Sequence, residues 1–391
     1  MDSISRLLDW ASTQGIVLNG MTPKELPGCG IGLVSTRAIK PKETILSVPS
    51  SALRTLENTP KPIVDALPGA TVHAILAASL AVDLANPPSD DFRIWRDVSP
   101  TPRDMTTSMP ICWDASLQAL LPKKARTILD KQIAKFERDW AAVSAASASK
   151  VEPISNLTRE AYLYAWLLVN TRTFYHTTPT TKKKLPREDH MALQPVADLF
   201  NHSPDGCAVS FTSAGFTITA GADIPADTEV FIQYGSHSND FLLVEYGFTL
   251  PHGLNSFDEV CLDEYLCPRV ASPSKRRMLE DRGFWAGYML DSETVCYRTH
   301  VALRALCLPE DEWIDFVDGR RDEDLDQHLV DRELLRILRR YAADIADTRE
   351  KVNDVSVGDV MRNRLRERWE QIADLVDAAI SRASGRIGNH V

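Results

Sequence analysis

Three short stretches concentrate residue types that can do chemistry. The first is Gly28-Cys29-Gly30-Ile31-Gly32, set between short apolar runs. Glycine lets the backbone approach a ligand closely. A strand rather than a helix follows, so this is not a dinucleotide fingerprint, and taken alone it reads equally as a tight turn. The second is Val196-Ala197-Asp198-Leu199-Phe200-Asn201-His202-Ser203. Its Asp, Asn and His within five residues suit a metal site, a catalytic cluster or a hydrogen-bonded turn. The third is Glu229-Val230-Phe231-Ile232-Gln233-Tyr234-Gly235, followed by Asn239-x-x-Leu242-Leu243-x-x-Tyr246-Gly247-Phe248. Its two Tyr-Gly pairs stand 12 residues apart, and tyrosines at strand ends commonly just bridge core and water.

The elements that must position these stretches alternate in character. Ile4, Leu7, Leu8 and Ala11 predict a helix that Gly15 closes. Leu33-Val34 and Ile45-Leu46-Ser47-Val48, separated by Lys40-Pro41-Lys42-Glu43, predict a β-hairpin. From Pro60 to Lys184 the pattern is helical, with one apolar face over Val72, Ile75, Leu76, Ser79, Leu80 and Leu84. Further helices are expected over Ala125–Val143 and Ala161–Phe174. Ala141–Lys150 is Ala/Ser-rich and ends in a loop, and Thr177–Glu188, with its lysine run, reads as an exposed, solvated loop. Strands return between Val196 and Phe248, including Val209–Phe211 and Phe216–Thr219 around a Ser-Ala-Gly turn and Glu229–Ile232. Beyond Asn255 two helical stripes follow. One holds Leu325, Leu329, Leu335, Leu338, Tyr341 and Ile345; the other holds Met361, Leu365, Trp369, Ile372, Val376 and Ala379. The two β pieces, separated by the helical stretch, are expected to share one sheet.

Composition removes several classes of function. With 44% apolar and 25% charged residues the chain is an ordinary globular one. No run approaches the 18 apolar residues of a membrane span, and the start lacks a basic, apolar leader. Seven cysteines form no Cys-x-x-Cys pair, and no His-x-x-x-His occurs, so neither a structural zinc nor any other metal is expected. Reduced, mostly buried thiols of an intracellular protein are the expectation. A net charge of −10 disfavours direct nucleic-acid binding and suits a basic protein partner. No Gly-x-Ser-x-Gly elbow supports a hydrolase.

Taken together and in this order, the three stretches resemble the SET-domain protein methyltransferases. The closer match is the subgroup typified by the Rubisco large-subunit lysine methyltransferase, which includes ribosomal-protein lysine methyltransferases and an actin-histidine methyltransferase. The resemblance implies an α+β fold. A β-rich SET domain would be split by a long helical insertion and followed by an all-α C-terminal domain that binds the protein substrate. The expected boundaries are 1–56 for the N-terminal helix and first SET part, 57–189 for the insertion, 190–254 for the second SET part with the catalytic motifs, and 255–391 for the C-terminal domain. It also implies S-adenosylmethionine as methyl donor. Gly28, Gly30, Ile31, Gly32 and Leu33 would cradle it through the backbone, and Asn201 and His202 would hold its amino group and adenine. Arg172 would pair with its carboxylate. Asp198, in the same group, would orient the turn. Tyr234 matches the catalytic tyrosine and also borders the cofactor; Tyr246 is the second catalytic tyrosine and, with Phe248, lines the channel for the target amine.

The implied chemistry suits these residues. Transfer from a sulfonium is an in-line displacement needing a neutral nucleophile, and neutralising a lysine at pH 7 costs roughly 4–5 kcal/mol. An apolar channel lowers that cost by disfavouring the ammonium form. The expected partner is a non-histone protein bearing the target lysine, a ribosomal protein or translation factor, met in cytoplasm or nucleus by a monomeric enzyme with no nucleic acid or membrane involved. A helical C-terminal domain in place of a cysteine-rich zinc segment argues against histones. The alternatives are a protein-histidine methyltransferase, which Tyr246 disfavours because the actin-directed relative departs from Tyr-Gly-Phe there, and a catalytically silent SET-fold binding module.

Overall fold

The computed structural model describes residues 3–28, 30–86, 90–179, 181–212, 214–356 and 358–388. Cys29, in the middle of the glycine element, and Ser213, in the Ser-Ala-Gly turn, lie outside the described residues. The chain divides into two compact units: residues 1–109 with 130–236, and residues 110–129 with 237–391.

The first unit holds strands β1 (Val17–Leu18), β2 (Met21–Leu26), β3 (Gly30–Ser35), β4 (Thr44–Pro49), β5 (Thr173–Tyr175), β6 (Met191–Leu193), β7 (Asn201–Thr212), β8 (Gly215–Thr219) and β9 (Phe231–Ile232). Five of them form one sheet in the order β1-β4-β8-β7-β9. Leu46 faces Ile218 across β4 and β8, so the two β pieces, remote in sequence, do share a sheet. Apolar residues from both, Leu33, Ile45, Val48, Phe200, Phe216 and Ile232 among them, form one core beneath it.

The expected hairpin between Leu33-Val34 and Ile45–Val48 is not formed. β3 pairs instead with β2, in the register Leu26↔Gly30 to Met21↔Ser35, while β4 lies between β1 and β8. β2 contains Pro23, Lys24 and Glu25 and has no strand-like alternation; a strong partner makes it a strand. The turn at Lys40–Glu43 exists, but it docks on the later loop: Ile39 bridges Ile224 and Lys40 Nζ lies 2.9 Å from Asp223. A turn residue pattern specifies a reversal of the chain, not the strand it reverses into.

Several helices accompany the strands. Ser3–Thr13 matches expectation, with Leu7 and Ala11 buried. Val72–Ala85 departs from it: every residue from Val72 to Ala81 is buried, not one face. A helix apolar all round belongs inside. It packs against Arg159–Arg172, itself buried over Ala165–Val169. Thr71 and Thr158 cap the two helices, each accepting from the backbone N–H three residues on. The latter helix ends at Arg172, and Phe174 belongs to β5, paired with β6. The helix read as Ala125–Val143 runs from Lys123 to Ala148; alanine carries it through most of the Ala/Ser-rich stretch, which ends in a turn at Ser149 and Lys150. In the Thr177–Glu188 tract, short turns cover Thr181–Lys184 and Arg187–Asp189, and Lys182, Lys183 and Lys184 are exposed.

The second unit is mainly helical. Its two longest helices, Gln327–Asp354 and Asp359–Gly388, pack on each other. Their predicted stripes are buried from Leu335 to Ile345 and from Leu365 to Ala379, whereas Leu325 stands outside, 60% exposed. Two features differ from the sequence reading. β10 (Glu259–Cys261) and β11 (Met289–Asp291) form a small antiparallel pair in the region expected to be purely helical. Asn239–Tyr246, expected to be extended, is a helix. Leu242-Leu243-Val244 is buried there, and a short apolar run cannot distinguish strand from helix; Gly247, at φ 81°, ends it with a left-handed cap.

Among the described residues the cysteines are unbridged, and only Cys207 is buried; the other five are half-buried, which corrects the expectation of mostly buried thiols. No described helix is long and apolar enough to cross a membrane.

Candidate active site

The glycine element closes the β2–β3 hairpin. Gly28 and Gly30 have φ values of 77° and 76°, and a Cβ on either would meet nothing within 4 Å. Backbone angle rather than crowding therefore requires glycine there, and the backbone faces open space. Gly32 differs. A Cβ there would stand 2.5 Å from Leu26 Cδ1, 2.9 Å from Glu229 Oε1 and 3.0 Å from Asn201 Nδ2. Its bareness is what lets the first motif touch the second. Leu33 is fully buried and accepts the Val230 N–H at 2.8 Å, and Ile31 packs partly buried on the core.

The second motif begins with Val196, fully buried at φ 74°. This is a strained conformation for a β-branched residue. The short turn Ala197–Leu199 then places Asp198 inside the unit. Burial pushes the Asp198 carboxyl above the usual carboxylate range, opposed by Arg172 and by the Trp95 indole N–H, 3.1 Å from Oδ2. Arg172, the last residue of its helix, has Nη1 3.8 Å from Oδ2 and donates to the Asp198 carbonyl. Its Nε and the other Asp198 oxygen are buried without hydrogen-bond partners. Asn201 donates Nδ2 to Glu229 Oε1 at 2.6 Å.

His202 and Tyr234 are linked by the parallel pairing of β7 and β9, in which His202 faces Ile232. The His202 Nδ1 accepts the Tyr234 backbone N–H at 3.1 Å, and the two rings stack with centroids 5.1 Å apart. The Tyr234 hydroxyl donates to the Phe200 carbonyl at 2.6 Å. The Asp198–His202 stretch and the first Tyr-Gly pair are thus one hydrogen-bonded assembly, joined through Gly32 and Glu229 to the glycine turn.

Tyr246 and Phe248 belong to the second unit. Tyr246 ends the Asn239–Tyr246 helix, its ring 6.3 Å from Phe248 and 6.4 Å from Phe241 and His237, the last two stacked at 4.1 Å. Burial, with a smaller contribution from Glu245, pushes the Tyr246 phenol up to about 12, so it stays neutral. Asn239 is buried, and its amide bonds backbone and side chains around it.

Sequence reasoning missed several contributors. Trp95 bonds Asp198 and has no motif around it, and Glu229, which opens the third stretch, holds Asn201 though no role was assigned to it. Gly206 is more telling: a Cβ there would lie 2.3 Å from the Ile232 carbonyl carbon. It lets the backbones of β7 and β9 come together where the register of their parallel pairing shifts between His202 and Cys207. The sequence Ser203-Pro204-Asp205-Gly206 was a signal for such a bend. Among the described residues no three His, Cys, Asp or Glu side chains are grouped to hold a metal.

Comparison with known proteins places this geometry. Residues 30–235 match the family profile of the SET domain, and residues 258–382 that of the ribosomal lysine N-methyltransferase 2 C-terminal domain. The ribosomal lysine N-methyltransferase set11 of Schizosaccharomyces pombe is 27% identical over 258 residues, 63% of each chain. The match thus spans less than two thirds of that relative. Human SET domain-containing protein 4 is 27% identical over 328 residues, covering 78% of this chain and 73% of the relative. The crystal structure of the SET domain of LSMT bound to methyl-lysine and AdoHcy shares the fold, with a TM-score of 0.66 at 15% identity, over 99% of this chain and 92% of the other. With the SET profile covering more than half of its length and the glycine turn, the Asn201-His202 pair and Tyr234 assembled in one unit, the chain belongs to the SET-domain methyltransferase family.

Proposed function

We propose that the protein is an S-adenosylmethionine-dependent protein-lysine N-methyltransferase acting on a non-histone protein, a ribosomal protein or translation factor. The observation that carries this reading is the Tyr234 assembly: a phenol bonded to the Phe200 carbonyl and stacked on His202, beside an open glycine turn. The C-terminal profile and the similarity to the fission-yeast ribosomal lysine N-methyltransferase support the substrate class. Such a substrate is met in the cytoplasm or nucleus.

The residues fit the methyl donor. Arg172 offers a buried, unpartnered Nε to a carboxylate while its Nη1 is steadied by Asp198. Gly28 and Gly30 leave room beside the backbone, and Ile31 to Leu33 continue that edge. Asn201, its Nδ2 engaged by Glu229, has its amide oxygen to accept from an ammonium group. Asp198 orients Arg172, and His202 orients Tyr234. The bound donor supplies an electrophilic methyl carbon on a sulfonium.

The role of Tyr234 follows from its hydrogen bond. Its proton is given to the Phe200 carbonyl, which turns the phenol oxygen, itself a hydrogen-bond acceptor, to the role of accepting from an incoming amine. It orients the nucleophile and does not take its proton. Tyr246 and Phe248, with a neutral phenol and an apolar ring, supply walls that disfavour a charged amine. The C-terminal region, residues 255–391, engages the protein substrate.

The test is incubation with labelled S-adenosylmethionine and ribosomal proteins from cells lacking this gene, with mass spectrometry of the labelled species. Methylated lysine is expected. Label on histidine would transfer the proposal to the alternative target residue. No thermal shift with millimolar cofactor, together with no transfer, would sink it.

A further inference from the structure

Beneath the helix that carries Tyr246 lies a buried ionic cluster that no motif announces. Arg368, on the helix Asp359–Gly388, is 0% exposed. Its Nε donates to Asp240 Oδ1 and its Nη1 to Asp258 Oδ2, both at 2.7 Å. Nη1 also reaches Gln371 Oε1 at 3.2 Å, while Nη2 is buried without a partner. Asp240 is the second residue of the Asn239–Tyr246 helix. Asp258 also accepts the Asn239 backbone N–H at 2.9 Å, at the first turn of that helix.

The same network grips the chain beyond Phe248. Leu250 donates its N–H to Asn239 Oδ1 at 3.1 Å. The Leu250 carbonyl accepts from Asn239 Nδ2 at 3.2 Å and from Gln371 Nε2 at 2.9 Å. Tyr246, Gly247 and Phe248 therefore lie on a span held at both ends, at Asn239–Asp240 and at Leu250. Both holds trace to one face of the helix that bears Arg368 and Gln371.

We propose that Arg368 is a positioning residue for Tyr246 and Phe248, setting where these two rings stand through Asp240, Asp258 and Gln371. The proposal rests on the reading of Tyr246 and Phe248 as walls of the amine channel. Stability alone is a poor reason for the cluster. A fully buried arginine with two carboxylates pays a heavy desolvation cost, and apolar residues of equal volume commonly serve as well. What apolar residues lack is direction. A planar fork bonded to two carboxylates fixes the angle of the helix it holds, and lysine, a point charge, does not.

The test compares wild type with Arg368→Lys in the full-length protein, using two readouts. One is single-turnover methyl transfer with cofactor affinity measured separately. The other is a fluorine NMR titration of protein labelled with 3-fluorotyrosine, the Tyr246 resonance being assigned with Tyr246→Phe. The expected result is a fall in the transfer rate on the order of tenfold or more, as for a reacting group displaced by a fraction of an ångström. Cofactor affinity should stay within about threefold, the ordinary scatter of remote changes. The Tyr246 resonance should shift and its phenol titrate lower than in wild type. If Arg368→Lys does not fold, Asp258→Asn keeps the shape, removes one charge and is read the same way. A folded variant with wild-type rate and an unmoved Tyr246 resonance overturns the proposal. If the wild type transfers no methyl, the functional reading fails by itself, and the fluorine titration still decides whether Arg368 positions Tyr246.

Discussion

Tyr234 gives the sharpest residue-level prediction. Tyr234→Phe keeps the ring stacked on His202 and removes only the hydroxyl bonded to Phe200. kcat should fall on the order of 10²-fold, the size of losing one well-placed polar group in a transition state. Isothermal titration should find cofactor affinity nearly unchanged, and a variant with wild-type single-turnover rate would remove the phenol from the mechanism. Tyr246→Phe should slow the reaction less and alter the number of methyl groups added, read by mass spectrometry. Asn201→Ala tests the cofactor reading. It deprives Glu229 of its amide donor and removes the oxygen offered to the cofactor. Differential scanning fluorimetry should then show most of the S-adenosylmethionine-induced rise in melting temperature gone; an undiminished shift would clear Asn201 of that role.

Elements make two further predictions. Gly206→Ala sets a methyl 2.3 Å from the Ile232 carbonyl carbon, against the Ile232–Gln233 backbone. Overpacking of this kind costs about 1–3 kcal/mol or more. Its urea midpoint should fall further than that of Gly28→Ala, where space is open and only the left-handed backbone is penalised; equal midpoints would contradict the close approach of the β7 and β9 backbones at Gly206. The second concerns the Val72–Ala85 helix. His73 is buried, stacked on Trp166 at 4.4 Å, its Nδ1 2.8 Å from Lys135 Nζ and its Nε2 3.0 Å from the Trp166 carbonyl. Burial first, then the Lys135 charge, holds it well below the ordinary histidine value of 6.5. The unfolded chain therefore takes up a proton before the folded one does. The stability His73 contributes is complete above about pH 6.5 and is lost as pH falls below it toward the depressed folded value. His176 and His300 shift the same way, also through burial. The raised carboxyls of Asp198 and Asp240 act in the opposite sense at lower pH. Thermal melts between pH 7 and 5.5 should show a decline that is shallower in His73→Gln; parallel declines would exclude His73 as a source.

At the scale of the whole molecule, the net charge of −10 predicts a salt effect on substrate recognition. A basic protein substrate is drawn by the summed field, which salt screens. Raising sodium chloride from about 0.05 to 0.5 M should raise KM for a ribosomal protein roughly tenfold. Over the same range the cofactor dissociation constant should change less than about twofold, because buried contacts are screened little. A salt-independent KM would mean that shape and apolar contact dominate recognition. The division into units also bears on how the C-terminal region is probed. Cutting at Asn255 would strip Arg368 from the buried Asp240, and breaking a buried pair in this way costs about 3–5 kcal/mol. Point substitutions on exposed residues of 255–391 are the sounder probe of substrate binding.

The sequence by itself determined the motifs, their order, the helical stripes and the family. Each of these is written in residue types within a few positions of one another: glycines where the chain must bend, Asn201-His202 beside Tyr234 in a recognisable series, apolar residues at helical spacing from Leu365 to Ala379. Local pattern reports which side of an element is apolar, and it did so correctly where one side faces water. The Val72–Ala81 stretch, buried all round, and Leu242-Leu243-Val244, helical where a strand was expected, show its limit, since an element enclosed on every side has no polar face to set its period. Only the tertiary structure decided partners. β3 pairs with β2 and β4 with β8, although turn residues allowed the β3–β4 hairpin. Gly206 must be bare because the backbone of β9 lies against it. Asp198 meets Arg172, and Arg368 meets Asp240 across 128 positions of chain, in places where desolvation makes each charge depend on the other. A charge in a sequence reads as surface until the fold shows that water has been excluded around it.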